Sequence, residues 1–220
     1  MSGVTPEEEP VPLGDERLDE MLAGGLRPGE LCGLYANLEV GLGGVRRVLA
    51  RIVGHCVSQI GPALYFALTP AAAEARRQIV SQLGPRTDET VLAPAVRSYT
   101  VESLEDRAGS IGERYPFRII VVDQLDAVAP DDRQADYWEH EAQVVRSLKA
   151  LARSMQTPVL TTCTEWVYPG SHPQHRDRRS STDRSLPTDA LVAAADILLQ
   201  TNGRYVEVVK NRHGATRLHW

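Results

Sequence analysis

Apolar runs of strand length alternate along this 220-residue chain with longer stretches in which apolar side chains recur every three or four positions. Leu18, Met21 and Leu22 share one face of a short helix that Gly24-Gly25 stops, and Pro28-Gly29 turns the chain into a strand over 31–35. After a glycine-rich segment, Val48, Leu49, Ile52, Val53 and Cys56 mark the inner face of a helix over 45–60. Ala63-Leu64-Tyr65-Phe66-Ala67-Leu68 predicts a second strand, 71–83 an alanine-rich helix, 91–100 a third strand, and 101–113 another helix. Ile119-Ile120-Val121-Val122 is β-branched throughout, as a strand covered on both faces requires. Val144, Val145, Leu148, Leu151 and Ala152 give a helix over 136–155 its sheet-facing side, and 159–162 reads as the next strand. Residues 168–188 mix Pro, Ser, His, Arg and Asp without a period and read as a loop. Two last strands, 196–200 and 205–209, flank Asn202-Gly203, a hairpin signal because both residues accept positive φ.

Strand-helix alternation of this kind predicts an α/β fold with a mostly parallel central sheet flanked by helices, closed by a C-terminal β-hairpin. The length suits one domain over 13–220, preceded by a disordered acidic tail over 1–12, where Glu7-Glu8-Glu9 and the prolines offer no apolar period. A formal net charge of −5 argues against holding nucleic acid by bulk positive charge, so any such contact must be local. Cys32, Cys56 and Cys163 have neither metal-ligand spacing nor an even count, which predicts reduced thiols in a cytoplasmic protein. The first residues lack the basic and apolar regions of a signal peptide, and no apolar run reaches the ~20 residues that span a bilayer.

Candidate chemistry gathers after the first strand, in Ala36-Asn37-Leu38-Glu39-Val40-Gly41-Leu42-Gly43-Gly44. A phosphate-binding loop needs glycines that let backbone N–H groups converge, a lysine for the β- and γ-phosphates, and a hydroxyl for Mg²⁺. Gly41, Gly43 and Gly44 keep the backbone part, whereas Leu42 and Gly43 bring neither charge nor hydroxyl. Two readings follow: a strand-to-helix turn without a ligand, or a weakened nucleotide site. Arg46 and Arg47 could stand in for the lysine, but both fall within the following helix and are expected to be solvated. Asp123 ends a buried strand, where a carboxylate reaches a metal-bound water; Asp126 is a weaker candidate for that role. After the second strand, Leu68-Thr69-Pro70 offers no acid to activate water. Lys210 and Arg212 put two cations at the end of the last strand. Arg176, Arg178, Arg179 and Arg184 form the clear basic cluster, diluted by Asp177 and Asp183, so nucleic-acid binding there is not the favoured expectation.

Taken together, the segment from Arg17 to Leu31, the helix Arg146-Ser147-Leu148-Lys149-Ala150-Leu151-Ala152-Arg153 and the closing Val209-Lys210-Asn211-Arg212-His213-Gly214 resemble the C-terminal motor domain of DnaB-type replicative helicases, with RadA- and KaiC-like ATPases more distant. The resemblance implies a RecA-like P-loop NTPase fold over 13–220. It sets Ala36, Gly41, Leu42, Gly43 and Gly44 on a degenerate Walker A loop, and Asp123 on the Walker B aspartate, the Mg²⁺ position. It also sets Lys210 and Arg212 on fingers that reach a neighbour's site. The family's lysine, its hydroxyl and its catalytic glutamate are replaced by Leu42, Gly43 and Thr69, and Thr164 stands near its phosphate-sensing glutamine. ATP with Mg²⁺ is then held weakly or not at all, and the expected role is an assembly or regulatory subunit, homo-oligomeric or paired with an intact paralogue, away from membranes. An active DNA-translocating ATPase and a pure protein-interaction module are the alternatives.

Overall fold

The computed structural model describes residues 9–36, 41–83, 91–92, 100–129, 137–164 and 189–214. Helix α1 (Glu16–Met21) opens the fold, its first turn closed by the Asp15 carboxylate, which accepts from the Leu18 N–H. Strand β1 (Leu31–Ala36) leads to α2 (Gly41–Gln59), β2 (Ala63–Ala67) to α3 (Pro70–Leu83), and β3 (Val91–Leu92) to α4 (Val101–Gly112). Strand β4 (Ile119–Asp123), a 3₁₀ turn at Leu125–Ala127, α5 (Tyr137–Ser154) and β5 (Val159–Thr164) follow, then α6 (Asp189–Ala194), β6 (Ile197–Thr201) and β7 (Val206–Asn211).

The seven strands pair in the order β3-β2-β4-β5-β1-β6-β7, all parallel except β7, which returns antiparallel along β6. This is the RecA-like α/β architecture expected, hairpin included. Burial explains the near-continuous apolar strands. In β1, Cys32 and Leu34 face the cluster built on α2 and α3, whereas Leu31 and Tyr35 face the cluster built on α4, α5 and α6. Gly33 lets α6 approach closely, since a Cβ there would stand 2.9 Å from Leu191 Cδ2 and 2.8 Å from Leu198 Cδ2.

Three details depart from the pattern-based reading. Helix α2 starts at Gly41, so the glycines form its first turn instead of a loop before it. Helix α6 and the 3₁₀ turn are short, and too few residues carry their period for it to show in the sequence. Ordered contacts begin before Leu13, because Val11 is buried and exchanges backbone hydrogen bonds with Leu26 at 2.7 and 2.9 Å. Gly25 makes that bridge feasible: at φ +122° a side chain would strike the Val11 carbonyl. Residues 1–8, the rest of the acidic tail, lie outside the described residues.

Candidate functional site

Strands β1, β2, β4 and β5 end along one edge of the sheet, with Ala36 level with Thr164 and Ala67 level with Asp123. At that edge the N-terminus of α2 follows β1. The N–H groups of a helix's first turn have no intrahelical acceptor, and the helix dipole favours an anion there. Gly43 is exposed, and a Cβ built on it meets nothing within 4 Å. The bare glycine is therefore not imposed by crowding. Residues 37–40 and the side chain of Leu42 lie outside the described part.

Asp123 is fully buried, on the face of β4 that looks toward α2. Its Oδ1 accepts from Thr162 Oγ1 at 2.8 Å, and its Oδ2 accepts from the Tyr65 hydroxyl at 2.7 Å and from Arg46 Nε at 3.4 Å. Tyr65 lies on β2 and Thr162 on β5, so the strands on either side of β4 each send one hydroxyl to the carboxylate. Burial, reinforced by the neighbouring carboxylate and the hydrogen bond to it, raises the Tyr65 pKa well above the ordinary phenol range. Tyr65 thus stays a proton donor to Asp123 at any physiological pH. Arg46 corrects the expectation of a solvated charge: its side chain is 16% exposed and ion-paired with Asp123, and its Nη2 is buried without a partner among the described residues. Arg47 is exposed, as expected.

Thr69, where the resemblance would have a catalytic glutamate, takes a structural task. Its Oγ1 accepts from the Ala72 N–H at 3.1 Å and caps α3, with Pro70 at the first helical position, where a missing N–H costs nothing. Asp126 lies in the 3₁₀ turn, where it accepts from Gln124 Nε2 at 3.0 Å and is apart from Asp123's partners. Among the described residues no group of three His, Cys, Asp or Glu side chains is arranged to hold a metal.

Lys210 and Arg212 lie at the other edge. Because β7 runs antiparallel to β6, its end at Asn211 is level with Ile197, and Ile197 with Cys32 near the start of β1. That is four residues back from Ala36, ~13 Å along the strand. Lys210 Nζ donates to the carbonyls of Val192 at 2.7 Å and Ala193 at 3.3 Å, at the end of α6. Arg212 Nη1 donates to Asp196 Oδ1 at 3.0 Å while its side chain stays 61% exposed. Asp196 is buried and also holds Lys149, whose side chain is 12% exposed, and the Leu31 N–H at 2.8 Å. Burial works to raise its pKa, but the hydrogen bonds from Lys149, Leu31 and Arg212 outweigh it and hold the carboxyl below its usual range. His213 pairs with Glu30 beside this network.

Sequence reasoning found Asp123 and the closing cations but missed Tyr65, Thr162, Lys149 and Asp196 as partners. Nothing in an apolar strand marks which hydroxyl faces a carboxylate on another strand. Arg176, Arg178, Arg179 and Arg184 lie outside the described residues, as does the side chain of Thr164. The three cysteines are buried free thiols, and burial pushes Cys56 up to about 12.

No family model and no curated protein matches this sequence. Among solved structures, the chain is similar to an ATPase domain of the DnaB-like helicase type, with a TM-score of 0.73 at 14% identity over 97% of this chain and 88% of that one. It is also similar to a DnaB-like replicative helicase described with its interactions with primase. There the TM-score is 0.71 at 14% identity, over 96% of this chain but only 58% of the helicase chain. At this identity the likeness establishes the fold, that of DnaB-like helicase ATPase domains. No helix among the described residues is long and apolar enough to cross a membrane.

Proposed function

We propose that this chain is a RecA-like subunit of the DnaB or RadA type whose own site does not turn over nucleotide, and that it serves the assembly or regulation of a RecA-type ring or filament. The observation that carries the reading is the closed environment of Asp123. A Walker B carboxylate works by turning a lone pair toward a metal-bound water. Here Thr162 occupies one oxygen, Tyr65 and Arg46 occupy the other, and the residue has no exposure. The guanidinium of Arg46 supplies beside Asp123 the positive charge that Mg²⁺ would otherwise bring. Leu42, Gly43 and Thr69 support the same conclusion, because lysine, hydroxyl and general base are all replaced. ATP and Mg²⁺ then bind weakly or not at all. Lys210 and Arg212, away from this edge, are the groups the chain retains for a neighbour, either a second copy or an intact paralogue.

Fluorescent-nucleotide titration and a phosphate-release assay test this reading. The purified chain is expected to show no significant Mg²⁺-dependent hydrolysis. Turnover near the ordinary enzyme value of ~10 s⁻¹ that disappears in Asp123→Ala would overturn it. Restoring Leu42→Lys, Gly43→Thr and Thr69→Glu together is expected to improve nucleotide binding before hydrolysis, because hydrolysis also needs a neighbour's finger.

One observation favours a second reading, an active ATPase in which Arg46 replaces the missing lysine. Its buried Nη2 lacks a partner among the described residues, and a phosphate oxygen would satisfy it. Arg46→Ala separates the two: an active enzyme loses turnover, whereas a silent subunit loses only stability.

A further inference from the structure

A groove of about 790 Å³, measured to its open mouth, runs between α1, α2 and the hairpin of β6 and β7. Its floor is apolar. Leu13, Leu18, Val48 and Ile52 line it and are buried, and Val206 closes it from the hairpin side. The rim has the opposite character: Arg17, Arg51 and Arg204 stand around it, and Tyr205 turns a ring that is 48% exposed over its mouth. Against three guanidinium groups there is one carboxylate, Asp15, already engaged with the Leu18 N–H at 3.1 Å. Arg51 and Arg204 are exposed and have no side-chain hydrogen bond or ion pair among the described residues.

A local surplus of cations over an apolar floor, on a chain whose formal net charge is −5, selects a ligand with two parts. The floor favours a hydrocarbon or aromatic body, in proportion to the area it covers. The rim favours a carboxylate, sulfonate or phosphate head, which planar guanidinium groups grip with paired hydrogen bonds. Tyr205 adds an aromatic face at low entropic cost. Enclosure by two helices and a hairpin, at a volume within the range of small-molecule sites, suits one compact ligand better than an extended chain. We propose that this groove is a binding site for a small amphipathic anion. None of the residues around Asp123 line it, so the site stands whether or not the phosphate edge binds nucleotide.

Two naphthalene probes test the proposal on the full chain: 1-anilinonaphthalene-8-sulfonate, and N-phenyl-1-naphthylamine, which has the same apolar body without the sulfonate. The sulfonate probe is expected to bind saturably with one-to-one stoichiometry, and the neutral probe distinctly more weakly. Arg51→Gln combined with Arg204→Gln, both surface changes, is expected to weaken the sulfonate probe by about tenfold, while Arg47→Gln, on the same helix but outside the groove, leaves it unchanged. Tyr205→Ala is expected to weaken both probes. Equal affinity for the two probes, non-saturable binding, or a double variant that binds as wild type would each overturn the proposal.

Discussion

Asp123 shows how a position can be kept while its chemistry changes. In a fully buried residue, a carboxylate facing one guanidinium and two hydroxyls is balanced only as a set. Removing the carboxylate would leave Arg46 as a mostly buried charge without its counter-ion. Asp123→Ala is therefore expected to lower unfolding free energy by about 3–5 kcal/mol, measured by urea denaturation, in a chain whose nucleotide turnover it cannot lower. A loss below ~1 kcal/mol would mean the set contributes little. Asp196 makes a pH-dependent prediction. Its folded pKa lies below the unfolded value of ~3.9, so its stabilisation is complete above that value and is lost as pH falls through the depressed one. Asp196→Asn should flatten the stability-pH slope below about pH 4, and Lys149→Met should reduce it. The sequence disclosed both aspartates as polar residues at strand ends. It did not disclose their partners, because Tyr65, Thr162 and Lys149 come from segments distant in sequence, and only the strand order brings them together.

At the scale of elements, local rules account for most of what was legible. Period-two and period-3.6 patterns marked the strands and long helices, and Asn202-Gly203 marked the hairpin, since each signal lies within one continuous window. The start of α2 was misread because glycine is a poor helix former, yet it is tolerated in a first turn whose N–H groups are unpaired in any case. The α2 start and the α3 cap give a paired prediction. Thr69→Ala should cost about 1 kcal/mol through loss of the α3 cap, and Thr69→Glu should lose part of that cap as well. Gly43→Thr, entering open space on α2, should change stability by less than about 0.5 kcal/mol, and thermal denaturation of the three variants checks all of them. A large penalty at Gly43 would mean that glycine is structurally required there.

At the scale of the molecule, the two edges of the sheet do different work: one carries the closed Asp123 set, and the other carries Lys210 and Arg212 on the Asp196 network. Asp196 has two cationic partners, and the less exposed one, Lys149, remains if Arg212 leaves. Arg212 can thus turn toward a neighbour without abandoning a bare buried carboxylate. Adding this protein to an active partner should raise the partner's hydrolysis, and Arg212→Ala should remove the rise while sedimentation still shows assembly, since such a finger contributes ~10³–10⁵ in rate. Strict monomer behaviour at high concentration would end that reading. An assembly of such copies has a direction. Each offers a working hand on one side and a closed door on the other, so a row of active subunits that takes one in gains a stimulated neighbour and, on the opposite flank, a silent joint. Counting silent joints per ring would then count copies of this chain, and its dose would set how many of the ring's steps fire.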